Sequence, residues 1–98
     1  MSTTRGPIAQ STKETLIHTF DFTNDLVTGV SVSTAVATIT DPAGASTALA
    51  SNKITVQSPY VNVKYGPPTK LGYHLLDCVA TLSDGQAAHI RLMIGVGY

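Results

Sequence analysis

Residues 71–97 read LGYHLLDCVATLSDGQAAHIRLMIGVG, and they decide the fold. Asp84-Gly85 sits between two apolar runs, the strongest short-range signal for a β-hairpin. In the closing run Ala88, Ile90, Leu92, Ile94 and Val96 alternate with His89, Arg91 and Met93. A period of two puts the first set on one face of a strand and the second set on the other. The turn is expected to be type I′, with Asp84 and Gly85 both at positive φ.

Upstream, residues 30–40 (VSVSTAVATIT) are rich in β-branched side chains, which suit a pleated surface. Ala35, Ala37 and Ile39 share one face. Val32 falls out of step with them, so a bulge at Ser33–Thr34 is expected to turn it inward. Leu16, His18, Phe20 and Phe22 alternate with Thr15, Ile17, Thr19 and Asp21 in an earlier strand. Asp41-Pro42-Ala43-Gly44 is a turn, with Pro setting φ and Gly supplying positive φ. Residues 45–53 are a loop or a weak edge strand, and short strands follow at Lys53–Gln57 and Val61–Tyr65. Ser58-Pro59 between those two reads as a bend or an edge crossing.

No segment carries a capped 3.6-residue period, so no helix longer than about one turn is expected. About seven short strands point to an all-β, antiparallel, immunoglobulin-like sandwich over residues 15–98. A small open barrel of the oligonucleotide-binding type is the alternative. Residues 1–14 are polar and aperiodic and read as a flexible or partner-ordered arm.

The chain has 98 residues, with six Lys+Arg against six Asp+Glu and no Trp. That length fits one core without a deep enclosed substrate pocket. Balanced, sparse charge argues against nucleic-acid binding by counterion release. It fits a protein whose surface is largely covered by partners. No apolar run resembles a signal peptide or a membrane span, so synthesis in a cytosol is expected. One cysteine, Cys78, allows no intramolecular disulfide.

Asp21–Ile39 (DFTNDLVTGVSVSTAVATI) and Leu71–Val96 (LGYHLLDCVATLSDGQAAHIRLMIGV) resemble the opening and the closing hairpin of small immunoglobulin-like structural proteins of tailed bacteriophages. The likeness lies in an aromatic-acidic strand, a Thr-Gly turn, a Gly-Tyr strand opening and a Ser-Asp-Gly turn. Gln86 departs from it, since a basic residue often follows the turn glycine in those proteins. The resemblance implies a virion component made in the host cytoplasm: an adaptor joining tail or neck to fibres, or a capsid decoration protein. It also implies other virion proteins and further copies of the chain as partners. A free-standing module recognising a glycan or a cell-surface protein is the competing reading.

Neither catalytic chemistry nor a metal or cofactor is expected. His18, His74 and His89 lack local ligand spacing, and Cys78 reads as a small buried hydrophobe. Asp77, mid-strand in an apolar run, faces solvent or meets Arg91 across the hairpin. Tyr73, at the start of a late strand, is expected to tie an inter-sheet corner. Tyr60, Tyr65 and Tyr98 are candidate interface anchors, since aromatics concentrate at interfaces. Pro67 and Pro68, in the connection after Tyr65, are further contact candidates.

Overall fold

The computed structural model describes residues 2–97. Eight strands are present among them: β1 (Ser2–Ser11), β2 (Leu16–Asp21), β3 (Val32–Thr40), β4 (Ser46–Ala48), β5 (Ile54–Gln57), β6 (Tyr60–Tyr65), β7 (Gly72–Leu82) and β8 (Ala87–Gly97). The only helical pieces described are two three-residue 3-10 turns, at Thr23–Asp25 and Ser51–Lys53. None is long and apolar enough to cross a membrane.

The strands form a five-stranded sheet ordered β1-β8-β7-β3-β4 and a three-stranded sheet ordered β2-β6-β5. The two sheets share one apolar core, so the molecule is all-β and sandwich-like. Pairing is antiparallel throughout, except that β1 runs parallel to β8.

Alternation explains the core. Leu76, Cys78, Ala80 and Leu82 of β7 are buried, as are Ala88, Ile90, Leu92, Ile94 and Val96 of β8. Phe20, Val61 and Val63 enter from the smaller sheet, and Phe22 from the residue just after β2. Burying a Phe, Leu, Ile or Val side chain contributes about 1.5–3 kcal/mol, so this run of alternating residues is what fixes the register. The expected bulge is present: pairing of β3 with β7 shifts register between Val32 and Thr34. Val32 is thereby buried, while Val36, on the opposite parity, is 63% exposed.

The β7–β8 turn differs from the type I′ expected. Gly85 has φ +88°, but no non-glycine residue among those described has positive φ, so Asp84 stays in ordinary backbone space. Leu82 N donates to Gln86 O, and Gly85 N donates to Leu82 O, leaving a three-residue loop with only its last residue left-handed. That is the longer hairpin loop in which one glycine completes the turn. The Asp84 carboxylate instead accepts from Gln86 N at 3.0 Å, bracing the loop from its side chain.

One further difference concerns pairing. Residues 2–11, aperiodic in sequence, form β1 along β8, with register running from Ser2↔His89 to Ser11↔Gly97. An outer strand needs only its main chain to pair, so no side-chain alternation announces it. Ser58-Pro59 is a two-residue turn, since Gln57 pairs with Tyr60 on either side of it.

Candidate functional site

Four strands bound the two sheets, and they are not equivalent. β4 has three residues. β5 has four, preceded by Lys53 and followed by Ser58-Pro59. β1 is interrupted at Gly6-Pro7, where its register on β8 shifts between Arg5 and Ile8. β2 is different: six residues pair without interruption with β6, from Leu16↔Tyr65 to Asp21↔Tyr60. Short length, lysine, proline and bulges are the usual means of blunting a sheet edge. β2 has none of them.

Beside β2 lies an apolar groove of about 340 Å³, walled by Ile8 of β1 and by Leu16, Ile17 and Phe20 of β2, with Leu92 of β8 also lining it. Ile17 is 66% exposed. Its sequence position gave a signal: it is an isoleucine on the polar parity of an alternating strand. Ile8 gave less, being a single apolar residue in a polar stretch.

A buried polar cluster fastens β1 beside this groove. Gln10 is 3% exposed. Its Nε2 donates to the carbonyls of Glu14 and Tyr65, each at 3.0 Å. Both amide hydrogens are thus taken, and Oε1 faces His18 Nε2 at 3.0 Å. His18 must therefore donate from Nε2, which fixes its neutral tautomer. Burial pushes the His18 pKa down. Gly66, at φ +124°, borders the cluster: a Cβ there would come within 2.7 Å of Gln10 Nε2 and closer still to the Glu14 carbonyl.

The remaining sequence candidates scatter. His74 is buried, donates from Nδ1 to Gly72 O at 3.3 Å, and lies with its ring centroid 6.2 Å from that of Tyr65. Burial raises the Tyr65 pKa, and its ring is half-buried. Tyr60 is exposed. Pro67 is exposed and Pro68 buried, so only the first is open to contact. Tyr98 lies outside the described residues.

Tyr73 does not sit at a junction between the sheets. It has the opposite parity to buried His74, so it is exposed on the outer face, with its ring against Gly95. Asp77 also faces outward, accepting from Arg91 Nε at 2.7 Å and from His89 Nε2 at 3.0 Å. The expected Asp77–Arg91 pair across the hairpin is present.

Cys78 is fully buried, and burial pushes its thiol up to about 12. It points inward, whereas His89 points outward from the neighbouring strand, so the two do not meet. Among the described residues no three His, Cys, Asp or Glu side chains group to hold a metal ion. What the described surface presents is an unprotected strand edge beside an apolar groove. The chain matches no protein-family model, and no curated protein or solved structure matches it significantly.

Proposed function

We propose that this protein is a non-enzymatic structural module of a tailed-phage virion, an adaptor joining tail or neck to fibres through protein–protein contacts. The observation that carries the interaction role is the open edge of β2 with its apolar groove. Exposed apolar surface beside unpaired backbone is suited to binding another polypeptide. The phage assignment comes from the resemblance of Asp21–Ile39 and Leu71–Val96 to structural proteins of that kind.

An immunoglobulin-like topology belongs to the same reading. β8, β7, β3 and β4 follow the order of the G, F, C and C′ strands of such domains, and β2, β6 and β5 follow that of B, E and D. A two-sheet body whose edges differ in length suits a part whose work is to hold neighbours at fixed positions.

The test is to purify particles of the phage whose genome encodes this chain, identify their proteins by mass spectrometry, and label the chain with gold-conjugated antibody. Label at the tail or neck is expected. Absence from the particle, or label confined to the head, would refute the adaptor role.

A further inference from the structure

We infer that β2 is the contact through which two copies of this chain join, pairing edge to edge in antiparallel fashion to make one continuous sheet, β5-β6-β2-β2-β6-β5. The inference deepens the structural-module reading and rests on it only for biological setting; the contact itself follows from the edges.

The choice of edge comes from comparing all four. β1 is broken at Gly6-Pro7, β4 offers three residues, and β5 offers four between Lys53 and Pro59. Only β2 combines six residues, continuous register and freedom from Lys and Pro. Strands lacking those protections are templates for pairing with another chain.

The choice of a second copy comes from charge. Leu16 to Phe20 carries no formally charged side chain at neutral pH, and Asp21 stands at the strand's end. Antiparallel pairing about a two-fold axis through His18 keeps the buried and exposed faces of β2 in step, sets Ile17 opposite Thr19, and places each Asp21 opposite Thr15 of the other copy. No like charges then face each other. Lys64, paired with Ile17 from β6, stays one strand back. Two such lysines lie at least three strand spacings apart, about 14 Å, beyond the Debye length of about 8 Å at physiological salt. The same surface on both partners makes the contact isologous and closed.

Apolar burial favours the same arrangement. Ile17 is 66% exposed in the single chain and would meet side chains of the second β2 on the outer face. The groove along Ile8, Leu16 and Phe20 lies directly beside the new strand pair.

Sedimentation equilibrium of the whole chain from micromolar to millimolar concentration tests this, with Ile17→Lys and Val36→Lys as a matched pair. Both positions are exposed, at 66% and 63%, so neither lysine threatens the core. The expected result is a wild-type mass that doubles with concentration. Ile17→Lys should weaken association by about tenfold or more, as charge on an edge strand opposes pairing, while Val36→Lys leaves it unchanged. Amide exchange in β2 should slow as the dimer forms. A wild-type monomer at every concentration, or a dimer unaffected by Ile17→Lys, would overturn the inference. A dimer whose chain is missing from virions would instead sustain it and refute the adaptor role.

Discussion

Gln10 and His18 meet between the two sheets, the Oε1 of one 3.0 Å from the Nε2 of the other. The contact joins β1, the outer strand of the larger sheet, to β2, the outer strand of the smaller. Neither side chain has freedom of orientation, because two backbone carbonyls consume the Gln10 amide hydrogens. An imidazolium at His18 would gain a second N–H in a buried place.

Stability should therefore fall in mild acid. The folded-state pKa of His18 is lowered by burial, so the unfolded chain binds the proton more tightly. The stabilisation is present above the unfolded value of about 6.5 and is lost as pH falls through the lower folded value. Urea midpoints measured from neutral pH down toward pH ~5 should decline, and His18→Gln should flatten that decline. An unchanged slope in the variant would show that His18 is not the group responsible.

Gln10→Ala should cost about 1–3 kcal/mol, the range for leaving buried polar partners unsatisfied. The Glu14 and Tyr65 carbonyls and the His18 N–H would all lose their partner. Urea unfolding gives the magnitude. Amide exchange should quicken most in the Ile8–Ser11 part of β1, and a uniform change would refute local loosening.

Gly66→Ala and Gly29→Ala make a controlled comparison, since both glycines have positive φ, +124° and +86°. A Cβ at Gly29 meets nothing within 4 Å, whereas at Gly66 it strikes the Glu14 carbonyl and Gln10 Nε2. Backbone strain alone costs about 1–3 kcal/mol, and Gly66→Ala adds steric conflict to it. Thermal melts should place Gly66→Ala clearly below Gly29→Ala. Equal melting temperatures would contradict the packing described.

Cys78 should resist thiol reagents while the protein is folded. The thiol is inaccessible, and at about 12 its pKa leaves almost no thiolate at pH ~8. Labelling should become complete on adding urea past the unfolding midpoint. Rapid labelling of the native protein would mean that β7 opens readily.

The hairpin β7–β8 and the inward face of β3 were legible because burial enforces a period of two on adjacent strands. Val32 was legible for the same reason: its wrong parity demanded a bulge, and the register shift supplies it. Asp84 misled because a dipeptide does not specify loop length, which is set by where the flanking strands close. β1 was hidden, since its pairing to β8 is a main-chain matter and its residues are polar. Gln10 was hidden too, because its three partners, at Glu14, His18 and Tyr65, come together only when both sheets are in place. Tyr73 was placed by position along its strand, whereas parity decides the face.

The parallel register of β1 on β8 has a mechanical consequence. Ser2 lies beside His89, near the β7–β8 turn, and Ser11 lies beside Gly97, at the other end of the strand pair. A load applied between Ser2 and Gly97 would drag the two strands past each other along their length. Their backbone hydrogen bonds would then be strained together in shear, instead of parting one after another as in a peeled strand. Tension between those two points would be taken up by the β1–β8 seam as a unit.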